Sequence, residues 1–497
     1  MAEEKRVLML TNAELGQANI FLAVSHELVS LDPSLKLHIA SFAPLAKHVN
    51  SIGISSPSPD TKPHPNVNFI PLHGPSWKEA LFGRSEHQFQ ELCDMPPTVW
   101  NVGKAAKMTR IACPWTSDEV CALVKEIEQI IEDIRPTAVV VDNLFTPAVT
   151  VCYKVKPNWI VLSPNTYKEF ILAHQPDKQY YWKYPPPRST VPYPVPWYYW
   201  PVVWYMVRTM YLNHDDTWMT DHAKQMKEKI DTDYADWAYI SIVPPEGLKV
   251  LLASRPEIDF PFEVMPDHIT GCGPIVLPSP PLKKTDPDLD AWLSQHPTIY
   301  INTGTHATYT EQQAVEMAGA LRHLLTKGEK KSKTLQVLWK LSKRGEYETG
   351  EGSKVFAALG LKFGEFVRTT EWIDPDPIAI LTSGHIVCSV NHGGANSFFD
   401  ALSIVMVYSA GVPQVILPVW GDTYDFAKRV EWLGIGKFGS PWNAPQCSAR
   451  ELGPILEQVV LGPRSKQMKE KAVELAQLCE NNGGGRRVAA QKILEML

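Results

Sequence analysis

The sequence predicts an α/β protein built as two doubly wound, Rossmann-type domains facing each other across a cleft, and three observations carry that expectation. The chain has 497 residues, more than one hydrophobic core usually organises, so two domains are expected. In both halves, apolar runs of strand length alternate with longer helical patterns, as in βαβ units on parallel sheets. Between the halves, Leu277-Pro278-Ser279-Pro280-Pro281 reads as a linker. The resulting divisions are a first domain over 1–275, a linker over 276–289, a second domain over 290–464, and a helical segment over 465–497 expected to pack back on the first domain.

In order, the strand-like runs are Arg6 to Thr11, Leu37 to Phe42 and Val67 to Leu72, with a helix from about Asn19 after the first. Thr116-Ser117-Asp118-Glu119 is a capping-box pattern and opens a helix that runs to Ile134, ahead of Pro136. The chain then enters Ala138-Val139-Val140-Val141-Asp142, a continuous run of the type buried on both faces of a sheet. From about Tyr180 to Tyr211 aromatics and prolines crowd together, including Trp197-Tyr198-Tyr199-Trp200-Pro201. This irregular insertion reads as a satellite core, as an apolar acceptor pocket, or as a surface resting on a membrane. Past the linker, Asp290-Ala291-Trp292-Leu293 ends a short helix before the strand Ile299 to Asn302, and Thr310-Glu311-Gln312-Gln313 caps the next helix. Further strands are expected at Gln336 to Leu341, Phe366 to Thr369, Ile386 to Val390 and Val415 to Pro418.

Composition narrows the function. The net charge of −6 comes with no basic stripe interleaved with aromatics, which sets nucleic acid aside. Met1 to Arg6 leads straight into a short apolar run, too short for a signal peptide or membrane helix, so a cytoplasmic protein is expected. The eight cysteines contain no C-x-x-C pair and no histidine spacing that frames zinc, so reduced thiols and no metal are expected.

The most informative stretch is Val390-Asn391-His392-Gly393-Gly394-Ala395-Asn396-Ser397, which follows a buried-strand pattern and opens a helix. Paired glycines admit a ligand close to the backbone, and a helix N-terminus offers free N–H groups to an anion such as a diphosphate. On its own the run reads equally as a tight turn. Other elements stand beside it. Glu371-Trp372-Ile373 offers an aromatic face at a strand end, on which a base could stack for roughly 1–3 kcal/mol. Asp400 lies two helical turns past His392, expected on about the same face, and could accept from both ribose hydroxyls. Val419-Trp420-Gly421-Asp422 puts an acid at the carboxyl end of a further strand, where ligands bind in parallel sheets.

With these residues in place, the sequence resembles the UDP-dependent glycosyltransferases of family 1, and in wording the fungal members from secondary metabolism. That family's signature contains W-x-P-Q, then H-C-G-W-N-S with Glu two turns on, then G-V-P and P-x-x-x-D-Q. The resemblance implies the GT-B fold, with the acceptor in the first domain and the nucleotide sugar in the second. It further implies that Trp372 stacks on uracil, that His392 and Gly394 with Asn396 and Ser397 hold the diphosphate, and that Thr305 contacts a phosphate. Asp400 would hold the ribose, and Asp422 with Thr423 would meet the transferred sugar. Asp142 matches the acid that orients the family's catalytic histidine.

The histidine itself is missing. Where the family has G-H-x-x-P, this chain has Gly16-Gln17-Ala18-Asn19-Ile20, and an amide cannot take the acceptor's proton. Glu14, Asp142, or an acceptor acidic enough to ionise unaided are the substitutes. Asp422-Thr423 stands for D-Q, Phe426 for Asn, the segment after Trp372 is two residues longer, and 403–409 carries an apolar insertion. The function implied is transfer of a sugar, glucose by default, from a UDP-sugar to a hydroxyl of a small apolar, phenolic or polyketide-like acceptor. The hexosyl transfer would invert configuration, with the UDP-sugar as co-substrate and no cofactor. The alternative, motivated by Gln17, is an impaired relative that binds a nucleotide sugar or a partner enzyme as a scaffold or activator.

Overall fold

The computed structural model describes residues 4–53, 64–107, 111–213, 217–405, 408–481 and 483–497. Seven strands form the first sheet: β1 (Arg6–Leu10), β2 (Lys36–Ser41), β3 (Val67–Pro71), β4 (Ala138–Asp142), β5 (Trp159–Ser163), β6 (Lys249–Leu252) and β7 (Ile269–Gly271), in spatial order β3-β2-β1-β4-β5-β6-β7. Every neighbouring pair is parallel. β4 is buried along its whole length because helices cover both sheet faces, which is why its sequence reads as an unbroken apolar run.

The second sheet holds β8 (Thr298–Asn302), β9 (Gln336–Lys340), β10 (Val367–Thr370), β11 (Ile386–Asn391), β14 (Gln414–Ile416) and β15 (Gly436–Phe438), in order β10-β9-β8-β11-β14-β15, again all parallel. A separate antiparallel hairpin, β12 (Ile404–Val405) and β13 (Tyr408–Ser409), takes up the apolar insertion; Met406 and Val407 lie outside the described residues. The helix Gly484–Leu494 returns to the first domain, where Arg486 meets Glu27 and the Met496 carbonyl accepts from Asn158.

Local sequence explains most of these boundaries. Thr116 and Thr310 each accept from the backbone three residues on, and Glu119 and Gln313 reach back, so both helices open with the capping box their sequences announce. Two expectations need correction. The first helix begins at Leu15 and not near Asn19, since Glu14 already has the extended backbone of a cap. The aromatic stretch is not irregular throughout: Trp200–Asn213 is a regular helix of 14 residues, concealed because its apolar residues, aliphatic and aromatic together, fall all round the helix. Trp204, Tyr205 and Tyr211 are exposed on it, while Val203 and Met206 are buried.

The strand orders fix where ligands can bind. In each sheet the chain changes direction of winding at one point, between β1 and β4 in the first and between β8 and β11 in the second. The loops leaving the carboxyl ends of those strands flank a crevice. The two crevices face each other.

Candidate active site

In the first domain the loop after β1 is tied to the end of β4. Asp142 accepts from Asn12 Nδ2 at 2.9 Å, Thr11 Oγ1 at 3.1 Å and the Leu144 amide at 2.9 Å. It has no exposed surface, and burial pushes its pKa up to about 6. Asp142 therefore braces the loop that carries Glu14 and Gln17, and Thr11 and Asn12 stand between it and the cleft. Gln17 lies in the first helical turn with its side-chain oxygen buried and unpaired.

Across the cleft, His392 follows β11 and sits between two glycines. Gly304 has φ +85°, and a Cβ there would stand 2.7 Å from the imidazole; a methyl group on Gly394 would overlap Nε2. Both positions need glycine because the ring fills that space. Asn391 accepts from the Gly393 amide at 2.8 Å and is itself held by Gln414, which fixes the turn. The ring's Nδ1 is buried without a partner among the described residues. Burial first, then the nearby His306 and Lys340, lower the His392 pKa to about 4, so the ring is neutral at physiological pH. The helix beyond is short, Ala395–Asp400, so its free N–H groups contribute more here than a summed dipole.

The helix starts after His392, so His392 and Asp400 do not share a helical face. Asp400 is pushed up to about 7 by burial and then by the charge of Asp376. Asp376 belongs to the longer segment after Trp372 and is anchored by Ser279 Oγ at 2.9 Å, so the two extra residues bring a second carboxylate to the place read as the ribose site. Trp372 is 62% exposed. Lys340, at the end of β9, stands 4.7 Å from the centre of its ring and donates to the Gly304 carbonyl at 3.0 Å. Thr305 is exposed beside it.

Asn396 donates to the Leu15 carbonyl at 3.0 Å, a bond that crosses the cleft. Ser397 follows in the same turn, half-buried. Asp422 precedes the helix Thr423–Trp432, and burial, then Glu169 and Asp425, push its pKa up to about 7. Thr423 is fully buried, and its hydroxyl accepts from the Val419 and Trp420 amides, so it shapes the turn that presents Asp422. Phe426 is core: its ring packs 4.9 Å from that of Phe398.

Sequence reasoning missed His306, Lys340, and the helix Trp77–Asp94. Phe82 and Phe89 of that helix meet Trp420 and His306 in one apolar cluster between the domains. His306 Nε2 lies 3.1 Å from Glu14 Oε2, again across the cleft. The position next to Thr305 was the one available signal for it. Lys340 ends a strand whose neighbours already carried site residues.

Comparison with known proteins fits this geometry. The chain is 31% identical over 514 aligned residues to glycosyltransferase sdnJ of Sordaria araneosa, spanning 98% of this chain and 97% of that relative. Among solved structures, it superposes on a UDP-glucosyltransferase from Polygonum tinctorium with a TM-score of 0.63 at 15% identity, covering all of this chain and 99% of that one. Phytolacca americana UGT2, complexed with UDP-2fluoro-glucose and pterostilbene, gives a TM-score of 0.63 at 13% identity with both chains covered in full. No protein-family model matches the sequence. The fold is GT-B, and the chain is a glycosyltransferase. It belongs to the UDP-dependent glycosyltransferases of family 1.

Proposed function

We propose that the protein transfers a sugar, glucose by default, from a UDP-sugar to a hydroxyl of a small apolar acceptor of phenolic or polyketide-like class, with inversion at the anomeric carbon. The observation that carries this reading is the neutral, buried His392 ring beside the free N–H groups after β11, opposite the strand ends of the first domain. In that reading uracil stacks on Trp372, Asp400 receives the ribose hydroxyls and Asp422 the sugar. As the bond to the leaving diphosphate breaks, charge develops on its oxygen. His392, the adjacent amides and Lys340 meet that charge from fixed positions, where it is most effective. Phe82, Phe89 and Trp420 supply the apolar wall for an acceptor.

The names of the relatives support the chemical class. One solved neighbour is described as capable of glucosylating indoxyl, and another is complexed with pterostilbene. No helix of the described residues is long and apolar enough to cross a membrane. The unpaired Gln17 oxygen favours one other reading, an impaired relative that binds nucleotide sugar as a scaffold or activator. Mass spectrometry of products from mixed phenolic acceptors with several UDP-sugars tests both. Glycosides are expected with one donor preferred; UDP binding without any product would establish the scaffold reading instead.

A further inference from the structure

Gln17 puts an amide in the first turn of the helix, and Asp142 is walled off behind Thr11 and Asn12. The cleft nevertheless contains an imidazole paired with a carboxylate. His306 Nε2 lies 3.1 Å from Glu14 Oε2, with each side chain about one-fifth exposed, at 21% and 20%. The ring is stacked on Phe82 at 5.7 Å and meets the edge of Phe89 at 6.3 Å, so its plane is fixed by packing. It also lines a cavity of about 30 Å³ with Gln90, Cys93 and Val419, room for one small group.

We propose that His306 is the general base of the sugar transfer, and that Glu14 is the positioning residue that holds its tautomer. This rests on the sugar-transfer reading above. Nε2–H donates to the Glu14 carboxylate, which leaves the lone pair on Nδ1, an atom with no partner among the described residues. The second domain thereby supplies the imidazole and the first supplies the carboxylate. Glu14 alone would be a poor base, because a carboxylate is intrinsically less basic than an imidazole.

The step balances as follows. The acceptor O–H bond breaks and its proton passes to Nδ1, while the acceptor oxygen bonds to the anomeric carbon. The bond from that carbon to the diphosphate oxygen breaks, and UDP leaves with the electron pair. The imidazolium rests against Glu14 and returns its proton to water. The titratable and charged groups around His306 are Glu14 from the first domain's loop, Cys93 and Asp94 from the helix Trp77–Asp94, the latter paired with Arg344, and His392 and Tyr309 from its own side.

The test compares the parent with His306→Gln, His306→Asn and Glu14→Gln, using UDP-glucose with 4-nitrophenol and with 4-methoxyphenol. Thermal unfolding and UDP affinity are measured on each variant. The His306 variants should keep both, yet lose roughly 10²–10⁴-fold in kcat toward the weakly acidic 4-methoxyphenol and far less toward 4-nitrophenol, which ionises unaided. The acid limb of their kcat profile should vanish. Glu14→Gln should keep that limb but move it to lower pH, because the imidazolium loses its negative neighbour. If both folded His306 variants retain the parent's preference between the phenols and its acid limb, the assignment is overturned. A parent that glucosylates neither phenol overturns instead the transfer reading on which it rests.

Discussion

The His392 ring is held by shape more than by bonds. Gly304 and Gly394 leave room for nothing but the imidazole, and its buried Nδ1 has no partner among the described residues. His392→Ala should leave the fold intact and lower kcat by roughly 10²–10³-fold, the effect of losing one donor to developing charge. Gly394→Ala should do nearly the same by displacing the ring, and kinetics with UDP-glucose on both variants checks it. The carboxylates give a second expectation. Asp400 and Asp422 are each pushed up to about 7, mainly by burial. Hydroxyls that donate to a carboxylate favour its charged form, so binding UDP-glucose below pH 7 requires these groups to lose protons they would otherwise keep. Affinity should therefore fall as pH drops from 7.5 to 5.5, by up to about tenfold per pH unit for each carboxylate. Asp400→Asn should remove part of this dependence and the double variant with Asp422→Asn the rest, as read by calorimetry. The sequence drew notice to Asp422 because it lies near the carboxyl end of a buried strand, and to Asp400 only through a count along a helix from His392. His306 was not legible there, because spacing along one chain does not reveal which loop of the second sheet meets the first.

At the scale of elements, the proposed donor site is assembled from neighbouring strand ends. β9 ends in Lys340, β10 is followed by Trp372, and β11 is followed by His392, while β8 between β9 and β11 leads to Gly304 and Thr305. Lys340 stands close to the Trp372 ring, within reach of a cation–π contact. The ring's large exposure leaves surface for a base. Trp372→Ala should weaken UDP binding by roughly 1–3 kcal/mol, and unchanged affinity by calorimetry would remove uracil from that position. The strands were legible because parallel strands buried on both faces read as continuous apolar runs, and the long helices because their capping boxes are local. The helix Trp200–Asn213 was hidden, since apolar residues all round it leave no clear stripe to mark a helical period. The face shared by His392 and Asp400 was misread for a different reason. The count of eight residues assumed a helix where the structure has a turn through Gly393, at φ +78°.

For the whole molecule, the question is what holds two sheets at the separation the reaction needs. One apolar cluster runs from the first sheet and its helix Leu15–Leu31 through Phe398, Phe399 and Tyr424 of the second domain to the C-terminal helices. Within the interface lies a buried set of charges. Arg429 donates to Asp259 Oδ1 at 2.8 Å and to Thr166 Oγ1 at 2.9 Å, with both charged side chains sealed from solvent. Lys168 reaches Asp425 at 2.7 Å, and Lys428 reaches the same carboxylate at 3.2 Å. Burial alone would raise the Asp425 pKa, but Lys168 and Lys428 outweigh it and hold the group below its ordinary value. Asp259, Thr166 and Lys168 belong to the first domain, whereas Arg429, Asp425 and Lys428 share the helix Thr423–Trp432 that starts beside Asp422. The network thus ties the first turns of that helix to the first domain. Asp259→Ala would leave the Arg429 guanidinium buried and unpaired, which costs about 3–5 kcal/mol. The guanidinium lies across the interface, so that part of the cost should fall on domain docking, while the Tyr167 and Phe260 amides lose an acceptor within the first domain. Differential scanning calorimetry should then show the parent unfolding in one transition and Asp259→Ala in two, the first at lower temperature. Replacing the arginine as well, in Asp259→Ala with Arg429→Met, should recover much of the loss, since apolar groups of similar volume can stand in for a buried pair. Coincident single transitions in all three proteins would mean that the apolar cluster alone couples the domains, and that the charges set their register without holding them together.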